Sequence, residues 1–157
     1  MFRKHFTALV MWAFFGGLGA ILLGTASAQA EPSEHVMPLI INNDRGGRLR
    51  ARIYQIAELK RTQQPVHVMG QVCFSTCTMF LGLPQTCVSS TTVFGFHGPS
   101  SYGRPLDPQV FERASELIAA HYPAFLQNWY MATARHVTNR MYRIKGSDMI
   151  RLGIPEC

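Results

Sequence analysis

Apolar and polar positions change rhythm several times along this chain, and each change marks an expected element. From Phe6 to about Gly24 the sequence is uncharged and mostly apolar, after a basic Arg3-Lys4-His5 and before the small-residue stretch Thr25-Ala26-Ser27-Ala28-Gln29-Ala30. Basic, apolar, then small is the layout of a secretory signal, and Ala28-Gln29-Ala30 is the better cleavage site. An uncleaved membrane anchor is the alternative, because about 18 apolar residues just reach across a bilayer. Gly16, Gly17 and Gly19 loosen the run and favour cleavage. The expected organisation is a signal at 1–30, a polar lead-in at 31–37 and one domain at 38–157.

Within that domain, Pro38-Leu39-Ile40-Ile41 is a short apolar run expected as a buried strand, and Asn42 to Gly47 is a turn. From Arg48 to about Thr62, Leu49, Ile53, Ile56 and Ala57 share one face and charged residues take the other, which predicts an amphipathic helix. Gln63-Gln64-Pro65 stops it. Val66 to Met69 is the next strand, and a more apolar helix is expected from near Ser75 to Gly82. Val93 to Phe96 is a third strand with His97 at its end. Strand, helix, strand, helix, strand is the order of parallel α/β crossovers, so the fold class is α/β. A loop over 99–106 leads to Asp107 as helix N-cap with Pro108 at the first position. That helix runs to about Tyr122, restarts at Pro123 and continues to Ala134. Phe125, Trp129 and Tyr130 on it are expected in the core or at a subunit contact. A short capped helix spans Ser147 to Gly153.

Composition narrows the picture. With 157 residues, 47% hydrophobic and 15% charged, one domain with a buried core is expected. Thirteen glycines and nine prolines are too few for a disordered or collagen-like chain. Net charge is +6, and loss of Arg3 and Lys4 with the signal leaves a mildly basic +4. Arg45, Arg48, Arg50 and Arg52 cluster without aromatic interleaving or a nucleic-acid motif. They are read as a solvated helix start, and no nucleic-acid partner is expected.

Cys73, Cys77, Cys87 and Cys157 all lie beyond the signal, and an even count in an exported chain predicts disulfides, in one of three connectivities. A metal reading would gather three of them with His67 or His97, but the close C-x-x-C spacing of common zinc sites is missing. His67 alternates with Val66 and Val68 and is expected on the other sheet face. No metal and no cofactor is expected. Three features fall at predicted strand ends, where α/β proteins place their sites. Gly46-Gly47 follows the first strand, Cys73-Phe74-Ser75-Thr76-Cys77 follows the second at a helix start, and His97 ends the third. Acyl transfer needs such a set: a nucleophile, an imidazole to take its proton, and N–H donors for the oxyanion.

The order Asn43-Asp44-Arg45-Gly46-Gly47, amphipathic helix, strand, Gly70-x-x-Cys73-x-Ser75-x-Cys77, then Gly95-Phe96-His97 resembles the Clp protease/crotonase superfamily. In particular it is similar to exported, periplasmic bacterial ClpP-like proteins with a Cys-x-Ser-x-Cys segment. The resemblance spans residues 38–157 and implies a parallel-sheet ββα superhelix, shortened at its N-terminus. It implies Ser75 as nucleophile, His97 as general base, and the N–H groups of Gly47 and Thr76 as oxyanion donors. It also implies a peptide or acyl substrate, and homo-oligomers such as trimers, hexamers or heptamer rings.

Two departures from the family pattern stand out. Met141 falls where the Clp peptidases carry the triad aspartate, and neither Asn139 nor Asp148 matches that position. The strand and helix that usually precede the Gly-Gly loop have no counterpart after Glu31, so a sheet edge is expected to be open or covered by a partner. A serine hydrolase predicts an acidic group within reach of the outer nitrogen of His97. A non-catalytic binding or assembly module predicts none, with Ser75 turned away. A crotonase-type acyl-CoA enzyme is disfavoured by export and by the lack of an adenine- or phosphate-binding signature. A Cys73–Cys77 bridge would staple the turn around Ser75 if Cys73 precedes the helix proper, and Cys87 and Cys157 would form the second pair.

Overall fold

Short apolar runs separated by turns assemble here around two small sheets rather than one. The computed structural model describes residues 36–157, so the expected signal at 1–30 and most of the lead-in lie outside the described residues. No helix among the described residues is long and apolar enough to cross a membrane. The first sheet holds β1 (Leu39–Ile41), β2 (Val66–Val68) and β4 (Thr86–Val88) in the order β1-β2-β4, all parallel. The second holds β3 (Val72–Phe74), β5 (Val93–Phe96) and β6 (Tyr142–Lys145) in the order β3-β5-β6, with β6 antiparallel. The fold is mixed α/β.

The expected single series of crossovers is thus corrected. The chain leaves β2, crosses three residues and enters β3, passing from one sheet to the other. β3 and β4 are three residues long, too short for period-2 alternation to stand out, and both are defined by partners distant in sequence. In the first sheet Leu39, Val66 and Thr86 align across the strands, as do Ile41, Val68 and Val88. Val66, Val68 and Val88 are fully buried. Ile40, His67 and Cys87 align in the intervening register and face the other way, and Ile40 on edge strand β1 is 46% exposed.

Helix α1 (Leu49–Thr62) forms where expected, with Lys60 and Arg61 in its last turn against the negative end of the helix dipole. Its fully packed positions are Arg52, Ile56 and Leu59. Arg52 therefore departs from the expected solvated cluster. It is 9% exposed, ion-paired to Asp44 and stacked 4.4 Å over the Phe80 ring. A guanidinium is weakly hydrated and planar, so a carboxylate and an aromatic face together compensate its burial.

The helix expected from Ser75 winds instead as a 3-10 helix over Ser75–Gly82, with residues 76–81 all buried. Thr78 Oγ1 donates to the Ser75 carbonyl at 2.7 Å, a side-chain bond at i−3 that competes with the α-helical pattern. Farther on, α2 (Pro108–Ala119) is capped by Asp107, whose carboxylate accepts from the N–H groups of Gln109 and Val110. Then α3 (Ala124–Ala132) follows Pro123. Tyr130 is buried, Trp129 partly so, and Phe125 is exposed. Phe96 meets Trp129 and Tyr122 edge-on, with centroids 5.3 and 5.8 Å apart. These rings fasten α3 to the strand that ends in His97. The closing helix α4 (Gly146–Arg151) is followed by Gly153 at φ +101°, the left-handed stop its sequence predicted.

All four cysteines are bridged, Cys73 to Cys77 and Cys87 to Cys157. Two disulfides in a chain of this size point to an oxidising, non-cytoplasmic compartment.

Candidate active site

Three chain segments meet at one cavity of about 560 Å³, and each arrives from the C-terminal end of a strand. The loop after β1 contributes Gly47. The junction of β3 with the 3-10 helix contributes Ser75 and Thr76, and the end of β5 contributes His97. Leu49, Leu106, Ile118 and Tyr122 supply apolar wall. A two-residue hairpin lies at the mouth, closed by reciprocal backbone bonds between Ser101 and Arg104 of 2.9 and 3.0 Å. Tyr102 and Gly103 at its tip both have positive φ, and Tyr102 is 94% exposed.

Ser75 sits at φ +55°, in the left-handed region that a non-glycine residue occupies only at a cost. Its neighbours hold it there from several sides. The Cys73–Cys77 disulfide spans it, with both sulfurs in the core. A relay of hydroxyls fixes its carbonyl: Thr78 Oγ1 donates to Ser75 O, which leaves Tyr122 OH to donate to Thr78 Oγ1 at 2.7 Å. Burial pushes the Tyr122 phenol well above its ordinary range, although the bond to Thr78 works in the opposite direction. Tyr122 therefore stays neutral and remains a donor.

The glycine pair divides its labour. Gly46 has φ +95°, and a Cβ there would lie 2.6 Å from Ser75 Cβ and 3.1 Å from its Oγ. Only glycine lets this loop lie against the serine. The Gly46 N–H is already spent on Asp44 Oδ1 at 2.8 Å, and Asp44 is in turn held by Arg52. The Asp44 carbonyl also accepts from Phe74 N–H at 2.9 Å, tying the loop to β3. Gly47 N–H has no acceptor among the described residues. Thr76, second in the 3-10 helix, occupies a position whose N–H has no intrahelical acceptor.

His97 is half-buried and makes one side-chain hydrogen bond: its Nδ1–H donates to the Gly98 carbonyl at 2.7 Å. A carbonyl only accepts, so Nδ1 bears a proton, and in the neutral imidazole this leaves the lone pair on Nε2. Tyr130 OH donates to the His97 carbonyl at 3.4 Å, steadying the backbone from α3. No hydrogen bond joins Ser75 to His97 among the described residues.

Met141, where the sequence resemblance implied an acid, packs against the strand that carries His97. His97 also borders a smaller cavity of about 130 Å³, lined by Thr138, Asn139, Arg140 and Met141. A Cβ on Gly95 would lie 2.8 Å from Met141 Sδ, so the thioether is packed on the strand that carries His97. Asp148 is engaged with Arg151 on α4. Neither cavity is lined by a carboxylate. Of the residues singled out in the sequence, Gly47, Ser75, Thr76 and His97 lie on the cavity lining, whereas Gly98 and Tyr122 of the lining and Asp44, Arg52 and Thr78 behind it were given no role there. The place of Asp44 two residues before a glycine pair was a legible signal. The rest depend on contacts between segments far apart in the chain.

His67 is not on the lining of this site and has one ring nitrogen within 4.8 Å of the sulfurs of Cys87 and Cys157. Those sulfurs are bonded to each other, which removes the thiolates a metal would need. No protein-family model matches the chain, and no curated protein matches it.

Proposed function

We propose that this protein is an exported, periplasmic or secreted serine hydrolase of peptidase type on a ClpP/crotonase-like scaffold, with Ser75 as nucleophile and His97 as general base. The observation that carries the reading is Ser75 at φ +55° on the wall that also bears an imidazole whose Nδ1–H is committed to the Gly98 carbonyl. That bond orients the ring and leaves Nε2 as the base. It does part of what a triad carboxylate does, namely selecting the tautomer, without supplying a negative charge for the imidazolium. Slow turnover is the expected consequence.

In the reaction, Ser75 Oγ attacks the carbonyl carbon of a peptide or acyl substrate while its proton passes to His97 Nε2. The oxyanion is received by the N–H groups of Gly47 and Thr76. Collapse breaks the bond to the leaving group, which takes the proton from His97. Water then repeats the sequence on the acyl-enzyme and restores Ser75.

A second reading is favoured by the lack of a carboxylate beside His97: a binding or assembly module of the cell envelope that kept the scaffold. Intact-mass labelling of the oxidised protein with a fluorophosphonate separates the two. Stoichiometric labelling of wild type, abolished in Ser75→Ala and reduced by about a hundredfold or more in His97→Ala, is the result expected of the hydrolase. Unlabelled wild type sinks it and leaves the binding module.

A further inference from the structure

The outer face of the first sheet gathers three side chains of metal-ligating type that the proposed reaction does not use. His67 on β2 and Cys87 on β4 are paired in register across neighbouring parallel strands. Cys157 is brought beside them because residues 155–157 run along β4: Val88 N–H donates to the Pro155 carbonyl and Cys157 N–H to the Val88 carbonyl. One ring nitrogen of His67 and the sulfurs of Cys87 and Cys157 all lie within 4.8 Å of one another. The His67 ring is half-buried and makes no hydrogen bond among the described residues, whereas those of His97 and His121 each bond a backbone carbonyl. Its nitrogen beside the sulfurs is uncommitted.

While Cys87 and Cys157 are bridged, no thiolate is on offer. The bridge is nevertheless open to exchange. Cys157 is exposed, whereas Cys73 and Cys77 of the other bridge are fully buried. A dithiol reductant therefore reaches the outer bridge first. Its thiolate attacks Cys157 Sγ, and Cys87 leaves as a thiolate. Its second thiol then displaces Cys157, so that two electrons pass to the protein and the reductant departs as a disulfide. The backbone bonds to β4 do not depend on the bridge and keep the freed sulfurs together. Parted to about 3.8 Å, with a ring nitrogen about 3.6 Å from each, they match three corners of a tetrahedral zinc.

We infer that His67, Cys87 and Cys157 form a zinc site when the outer bridge is reduced, so that a disulfide and a Zn²⁺ ion are alternative cross-links between β4 and Cys157. Binding releases to solvent whatever protons the two thiols still carry. Two thiolates and an imidazole suit zinc over Mg²⁺ or Ca²⁺, which take oxygen ligands. A fourth position is left for water on the exposed side. Nothing in this site depends on the proposed hydrolase.

The test is anaerobic zinc titration against a chromogenic chelator, on the oxidised protein and on protein mildly reduced with a dithiol that is then removed. The reduced protein is expected to take up a single Zn²⁺ per chain and the oxidised protein none. Co²⁺ in its place should give thiolate-to-cobalt charge-transfer absorption. Loss of a metal ligand costs at least as much as loss of a group that only orients one, so His67→Ala should weaken zinc binding on the order of tenfold or more. A second measurement needs no variant: Zn²⁺ should raise the urea midpoint of the reduced protein and leave that of the oxidised protein unchanged. Reduced protein that takes up no zinc, oxidised protein that binds it equally well, or an affinity unchanged in His67→Ala overturns the inference. Zinc that binds without raising the midpoint also overturns it, because an ion joining Cys87 to Cys157 must favour the folded chain.

Discussion

The two disulfides are the same bond put to different uses. Cys87–Cys157 joins residues seventy apart and lies at the surface, with Cys157 exposed. Around it the chain end is already tied to β4, since Val88 N–H donates to the Pro155 carbonyl and Cys157 N–H to the Val88 carbonyl, at 2.9 and 3.1 Å. Cys73–Cys77 joins residues only four apart, is wholly buried, and encloses the left-handed Ser75. A long loop restricts the unfolded chain far more than a short one. On the entropy model the first bridge contributes about 4 kcal/mol and the second about 2 kcal/mol. The outer bridge therefore chiefly sets stability, and the inner one chiefly sets the geometry of one residue.

Four measurements test that division, beginning with the largest expected effect. Replacing Cys87 and Cys157 together by serine should cost about 4 kcal/mol in urea unfolding while leaving the fluorophosphonate rate of the folded protein unchanged. A rate that falls with stability would break the contrast. Next, Arg52→Ala should cost about 3 kcal/mol, because it strips the partner from a poorly solvated Asp44. Here labelling should fall too, since Asp44 holds the Gly46 N–H beside the serine.

The double change Cys73→Ser with Cys77→Ser should cost only about 2 kcal/mol. Its labelling rate should drop on the order of a hundredfold, the size of effect that a small misplacement of a reacting group produces. Retention of full labelling would show that the hydroxyl relay alone holds Ser75. The smallest change, Tyr122→Phe, removes one hydrogen bond of that relay and should cost about 1 kcal/mol at neutral pH. It also carries a pH signature. Burial raises the Tyr122 phenol, so above about pH 10 the unfolded chain sheds a proton that the folded protein keeps. Stability from this group is present below that pH and lost as pH rises, and Tyr122→Phe should flatten the alkaline limb of the unfolding curve.

Much of the frame was legible residue by residue. The apolar spacing of Leu49, Ile53 and Ile56 announced α1, Asp107-Pro108 announced the start of α2, and Gly153 marked the end of α4. Gly47, Ser75 and His97, three of the residues now found around the cavity, drew notice because glycine, serine and histidine each stood at an expected strand end. What escaped was of another kind. β3, β4 and β6 are short segments that become strands only when a partner arrives. Arg52 looked like one charge in a basic cluster, and its burial depends on Asp44 and Phe80 being brought beneath it. The 3-10 winding after Ser75 follows from hydroxyl and disulfide links that no periodicity records.

By itself, then, the sequence determined the residue types offered to the cavity, a glycine pair after the first strand, and an even set of cysteines fit to bridge. Those are properties of side chains and of local backbone freedom, and they are carried in the order of residues. The tertiary structure alone decided that Ser75 adopts a positive φ, that His97 Nδ1–H turns to the Gly98 carbonyl, and that Arg48 and Leu49 at the start of α1 line the same cavity. Each of these is a small local preference overridden or selected by packed neighbours, and the identity of those neighbours exists only once the chain has closed on itself.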